Sequence, residues 1–103
     1  MKVKILSSAV EDIHAGRLFY EKQGEGVGTY FFDSLFSDID SLALFAGIHP
    51  KVNGYHRMLS KRFPYAVYYS LEDDVTVVVW RVLDLRRHPD RVRQALEECR
   101  REH

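Results

Sequence analysis

The run Val75-Thr76-Val77-Val78-Val79-Trp80 constrains the fold of this chain more than any other feature. Valine and threonine are branched at Cβ and stiff at χ1, so the run favours extended backbone. Successive side chains of a strand point to opposite faces, and here both faces are apolar. Such a strand is stable as a central strand with a layer packed on each face. The rest of the chain must therefore supply cover for both.

The flanking patterns supply it. Lys2 to Leu6 alternates, with Val3 and Ile5 on one face, and reads as a first strand. Ser8-Ala9-Val10-Glu11 fits a capping box, and Ala9, Ile13, Gly16 and Tyr20 recur at helical spacing, which predicts a helix over about residues 9–23. Gly24-Glu25-Gly26-Val27-Gly28 breaks it. That loop lacks the Lys-Ser/Thr of a phosphate loop and joins two helices, so it reads as a tight reversal. A second helix, with Thr29 as its cap, carries an apolar stripe of Phe32, Leu35, Phe36, Ile39, Leu42 and Ala43 and ends near Gly47. Asp33, Ser37, Asp38 and Ser41 fall on its polar side.

A turn at Lys51-Val52-Asn53-Gly54 precedes strands over about residues 55–61, 65–71 and 75–83, the last two joined by Glu72-Asp73-Asp74 as a hairpin. Pro89 suits the first turn of a closing helix, Asp90 favours its positive end, and Val92, Ala95, Leu96 and Cys99 form its stripe. The predicted fold is α+β: an N-terminal strand, an antiparallel helical hairpin packed on a small antiparallel sheet, and a C-terminal helix, in a single domain over residues 1–103.

Fifteen basic and fifteen acidic residues cancel, so net charge gives no support to nucleic-acid binding. One cysteine, Cys99, excludes an internal disulfide and suits a cytoplasmic location. No apolar run approaches the ~20 residues of a membrane span. His14, His49, His56, His88 and His103 lack metal-ligand spacing, and neither a metal nor a cofactor is expected. His56 and His88 could act as acid and base only if they meet in space.

The cations are more informative. Arg57, Lys61, Arg62, Arg81, Arg86 and Arg87 lie within or beside the predicted strands, among Tyr55, Tyr65, Tyr68, Tyr69 and Trp80. Such a sheet can hold a polyanion or an acidic protein segment, although most of the aromatics read equally as packing. Arg81 interrupts an apolar strand, so it is either ion-paired within the fold or a working residue.

Several strings in order resemble the RelE/ParE superfamily of bacterial toxins, the plasmid stabilization proteins of type II toxin–antitoxin systems. They are Phe19-Tyr20-Glu21 through Gly28 and Phe32, then Arg57, Arg62-Phe63-Pro64-Tyr65 with Tyr68-Tyr69, the strand Val77 to Leu83, and Arg86-Arg87-His88-Pro89. The resemblance covers almost the whole chain. It implies a growth inhibitor neutralised by a cognate antitoxin protein whose segment docks apolar anchors in a groove. RelE-like members cleave messenger RNA on the ribosome, and ParE-like members poison DNA gyrase. Ala66 stands where the ribonuclease pattern tends to have arginine, and no tyrosine follows Arg87, which places the chain nearer the ParE side. That reading expects a protein-binding inhibitor rather than an enzyme, with Arg81, Arg86, Arg87, Val92 and Leu96 contacting target or antitoxin. The alternatives are an endoribonuclease with catalysts drawn from Arg57, Lys61, Arg62, Arg81 and His88, and a degenerate, non-toxic binding module.

Overall fold

The computed structural model describes residues 1–102; His103, one of the histidines above, lies outside the described residues. The elements are β1 (Lys2–Ile5), α1 (Ser7–Glu21), α2 (Val27–Asp40), α3 (Leu42–Phe45), β2 (Lys51–Val52), β3 (Tyr55–Leu59), β4 (Tyr65–Leu71), β5 (Thr76–Asp84) and α4 (Pro89–Glu102). They build one five-stranded sheet in the order β1-β5-β4-β3-β2.

The α+β class is as expected, but the sheet is mixed rather than antiparallel. β1 pairs parallel with β5, Lys2 opposite Thr76 and Ile5 opposite Val79, while the other neighbours are antiparallel. A parallel pair needs a long crossover, and everything between β1 and β5 serves as one. A further strand appears where the sequence suggested only a turn: Lys51 and Val52 pair with β3, and the turn shrinks to Asn53 (φ 54°) and Gly54 (φ 87°). Both residues are left-handed, as a two-residue hairpin turn requires.

β5 is covered on both faces. On one, Val77, Val79 and Val82 pack with Ala9, Ile13, Phe31, Leu35 and Ile39 of the helical hairpin. On the other, Leu83 joins Tyr55, Ala66 and Tyr68 beneath Val92, Leu96 and Cys99 of α4. Val79 and Val82 share a face despite their odd spacing. The reason is a bulge: Tyr69 sits opposite Val79 and Tyr68 opposite Arg81, which leaves Trp80 as the extra residue and resets the alternation.

The hairpin differs in detail from its expected form. α1 begins one residue before Ser8, whose hydroxyl donates to the Trp80 carbonyl at 2.7 Å, so no capping box forms. Thr29 does not cap α2 either. Gly26, left-handed at φ 84°, turns the chain into the helix, and the Glu21 carboxylate of α1 accepts the N–H groups of Gly26 (3.2 Å) and Gly28 (2.9 Å). The buried stripe of α2 is Phe31, Leu35 and Ile39, rotated from the expected face. Phe32 is 38% exposed, and Asp38, assigned to the polar side, is 4% exposed. The Asp38 carboxylate accepts from the Ser60 hydroxyl at 2.8 Å and the Lys61 N–H at 3.3 Å, which lets it stay buried.

Candidate functional site

β1 stops at Ile5, so the outer edge of β5 beyond Val79 needs another partner. Leu6 and the start of α1 provide it through the Leu6 N–H, the Ser8 hydroxyl and the Asp12 carboxylate, which meet Val79 O, Trp80 O and the Val82 N–H in turn. The same carboxylate holds Arg81 through Nε at 2.7 Å and Nη2 at 2.9 Å. These charge-assisted bonds push the guanidinium pKa up against the opposing effect of burial. Arg81 is thus ion-paired within the fold, where it helps to seal a sheet edge.

Lys61, Arg62, Arg86 and Arg87 gather at one end of the β4–β5 hairpin. The Leu85 N–H donates to the Pro64 carbonyl at 2.8 Å, tying the loop with Arg86, Arg87 and His88 to the loop with Lys61 and Arg62. The acidic turn Glu72-Asp73-Asp74 lies at the opposite end of that hairpin, so a chain without net charge is polarised along it.

Arg86 is half-engaged. It forks onto Asp84 through Nε at 3.0 Å and Nη2 at 2.8 Å, and its guanidinium lies 5.5 Å from the Phe19 ring centroid. Burial pushes the Asp84 carboxyl up, but the bonds from the Arg86 side chain and backbone outweigh it and leave the group below the usual carboxylate range. Tyr65 is pushed up to about 12, by burial first and then by the Asp84 charge, so its phenol keeps its proton.

His56 and His88 have separate surroundings. His88 is exposed and its Nδ1 accepts the Asp90 N–H at 3.1 Å at the start of α4, whereas His56 bonds the His49 carbonyl at 2.7 Å. Val92 and Leu96 are buried against the chain's own sheet, so a partner reaches them only where α4 lifts away.

Two cavities meet at Arg57. The larger, about 440 Å³, lies between α3, the segment before β2, and β3. Phe45, Ile48, Pro50, Met58 and Leu59 form its apolar wall, and Asp38, His49, Arg57 and Lys61 ring it. Its rim is unusually apolar for a surface: Ile48 is 73% exposed, Leu59 55%, and neighbouring Leu44 82%. β2 pairs only with Tyr55 and His56, so the edge of β3 at Leu59 has no strand beside it among the described residues.

The smaller cavity, about 200 Å³, is lined by Val52, Asn53, Arg57, Tyr68, Leu85, Arg87, Pro89 and Val92. Arg57 Nε is buried there without a hydrogen-bond partner. Burial raises the Tyr68 pKa and the Arg57 guanidinium partly offsets this. The pocket offers two cations, a phenol and no histidine or carboxylate among its lining residues, so it suits an anionic group but supplies no general base.

The structure thus brings Arg57 and Arg87 together, places Lys61 at the groove, and commits Arg81 to Asp12. The groove itself was missed. Its signal was Leu44, Phe45 and Ile48, apolar residues that continue past the last position of the α2 stripe with no face left to bury. Among the described residues, no three His, Cys, Asp or Glu side chains converge as metal ligands, and no helix is long and apolar enough to cross a membrane.

No family profile matches the chain, and no curated protein matches it. Among solved structures it is similar to a chain of the chromosomal ParDE TA system from P. aeruginosa, with a TM-score of 0.74 at 17% identity, over 82% of this chain and 96% of that one. The likeness is one of fold, and it is the ParE-like α+β fold that the resemblance to RelE/ParE toxins implied.

Proposed function

We propose that this protein is the toxin of a type II toxin–antitoxin pair, a single ParE-like domain silenced by a cognate antitoxin and acting in the cytoplasm on DNA gyrase. The observation that carries this reading is the apolar groove beside Leu59, edged by Arg57 and Lys61, on a fold shared with a ParDE system. An acidic segment with apolar anchors fits such a groove: the anchors fill it, the backbone adds to the bare edge of β3, and carboxylates meet the cations. Arg86 and Arg87, on the basic end, are the residues proposed to meet the target. Arg87 is exposed, and Arg86 keeps half of its side chain in solvent. Such a protein works by binding and stabilises a plasmid or chromosomal locus by inhibiting growth when its antitoxin is lost.

The second reading, an endoribonuclease directed at ribosome-bound messages, draws on the unsatisfied Arg57 Nε next to Arg87, which fits a phosphate. The missing general base in that pocket weighs against it. Induction of the chain alone in bacteria separates the readings. Growth arrest with gyrase-linked DNA breaks, relieved by co-expression of a small acidic neighbour protein, supports the first. Arrest with newly cut messages and intact DNA replaces it with the second, and unimpaired growth leaves a non-toxic binding module.

A further inference from the structure

Residues 47–50, which connect α3 to β2, are fastened to the sheet by hydrogen bonds whose protons can be placed from their partners. The Gly47 N–H donates to the Tyr69 phenol oxygen at 2.9 Å. The same phenol lies 2.5 Å from Nδ1 of His49. Tyr69 is fully buried, so its single proton needs an acceptor, and Nδ1 of His49 is the one within reach. His49 is therefore neutral with its proton on Nε2. The His56 Nδ1 lies 2.7 Å from the His49 carbonyl, which only accepts, so Nδ1 of His56 carries a proton. The His56 ring stacks on Tyr69, with centroids 5.0 Å apart and planes at 19°.

We infer that this connection is an acid-released latch: a proton gained by His49 turns Nδ1 from acceptor to donor, leaves the buried Tyr69 proton without a partner, and frees residues 47–50 from the sheet. The consequence reaches the candidate site. The Pro50 carbonyl accepts the Arg57 N–H at 2.9 Å, and the next residue starts β2. Ile48 and Pro50 line the groove on one side of Arg57, and Val52 lines the pocket on the other, so release of the latch loosens a wall of both.

The charges around His49 favour this response. The basic groups on the neighbouring elements are His56 and Arg57 of β3, Lys51 of β2 (opposite His56) and Lys61 of the β3–β4 loop, and of these His56 opposes a cation at His49. Tyr69 of β4 stays neutral, because burial raises its pKa above the ordinary phenol value. Asp38 of α2 is the one carboxylate around the groove, and its Oδ2 already accepts from Ser60 and Lys61. Burial, and then His56, hold His49 below the usual histidine value. The sign follows: the latch is fully closed above the unfolded-chain value near 6.5 and is lost as pH falls from there through the lower folded value. The inference concerns the conformation of the chain by itself and stands whether or not the chain is a toxin.

Hydrogen exchange of the full chain at about pH 7.5 and about pH 5.5, corrected for the intrinsic rate, tests it. Protection of residues 46–52 should fall by up to about tenfold, the limit set by a pH one unit below the unfolded-chain value, while β4 and β5 keep theirs. Equal protection of the segment at both pH values, or an equal loss in β4 and β5, would overturn the latch. His49→Asn supplies an amide oxygen that accepts from Tyr69 and does not titrate, so it should keep the segment closed at both pH values. The same acid release in that variant would remove His49 from the mechanism. Tyr69→Phe should open the segment already at about pH 7.5, and wild-type protection there would equally refute the inference.

Discussion

Nε of Arg81 and Oδ2 of Asp12 are 2.7 Å apart, and the same oxygen accepts the Val82 N–H at 2.9 Å. One carboxylate thus serves a side chain and a backbone edge together, and its two partners are unequal in consequence. Arg81→Ala leaves Asp12 with the Val82 bond and is expected to cost roughly 1–2 kcal/mol. Asp12→Ala strands a part-buried guanidinium and a strand N–H, and is expected to cost about 3 kcal/mol. Urea midpoints of the two variants check the order, and a milder Asp12→Ala would contradict it. Any loss of growth arrest in Arg81→Ala is then to be interpreted alongside its stability.

The helical hairpin depends on close approach at two glycines. A Cβ at Gly28 would lie 2.6 Å from the Arg17 carbonyl oxygen, and one at Gly16 2.5 Å from the Phe31 ring. Backbone yields less readily than the end of a side chain. Gly28→Ala should therefore cost more than Gly16→Ala, with both in the range of about 1–3 kcal/mol of overpacking. Thermal melting of the two variants decides it.

The legible parts of the fold were those in which one local rule acted alone. The two-faced valine run marked β5, and the stripe of Val92, Leu96 and Cys99 marked α4. The phase of α2 was not legible, because Tyr30-Phe31-Phe32 offers three adjacent aromatics and only the packing against Tyr20, Phe63 and Tyr65 selects Phe31. Asp38 was misplaced for the same kind of reason, since its partners Ser60 and Lys61 are distant in sequence. Arg81 was legible as an anomaly, while its partner on α1 was not. The groove stayed hidden because it is formed by residues left over from α3 and β3, neither of which has a periodic signature of its own.

The groove makes a partner-specific prediction. Ile48 and Leu59 are mostly in solvent, so Ile48→Asp and Leu59→Asp should leave the unfolding free energy from urea titration within about 0.5 kcal/mol of wild type. Each should weaken the antitoxin by at least tenfold, as the loss of an anchor of about 2 kcal/mol does. Calorimetric titration with the neighbouring acidic protein gives the answer, and unchanged affinity in both variants would move the docking site elsewhere.

Asp84 and Arg86 make an acid-side prediction. Burial pushes the Asp84 carboxyl up, and the Arg86 bonds bring it below its ordinary value. A group lowered in this way contributes stability above its unfolded value, about 3.9, and loses that contribution as pH falls through the folded value. Arg86→Ala removes the side-chain bond and its charge but keeps the backbone N–H bond and the Arg87 charge, so the carboxyl shifts upward toward its ordinary value. The variant should lose less stability than wild type between about pH 5 and about pH 3, as followed by urea midpoints across that range. A parallel acid limb in both proteins would show that the pair is not coupled to folding.

The parallel pairing of β1 with β5 also orders events in time. Lys2 meets Thr76, and Ile5 meets Val79, so the first strand to leave the ribosome must wait for the last. At about 5–20 residues per second that delay lasts several seconds, during which Val3 and Ile5 have no sheet to join. The helices can form early, but the platform beneath them cannot close before β5 emerges. The sheet is therefore incomplete until β5 has been made, and the surfaces built on it appear together only then.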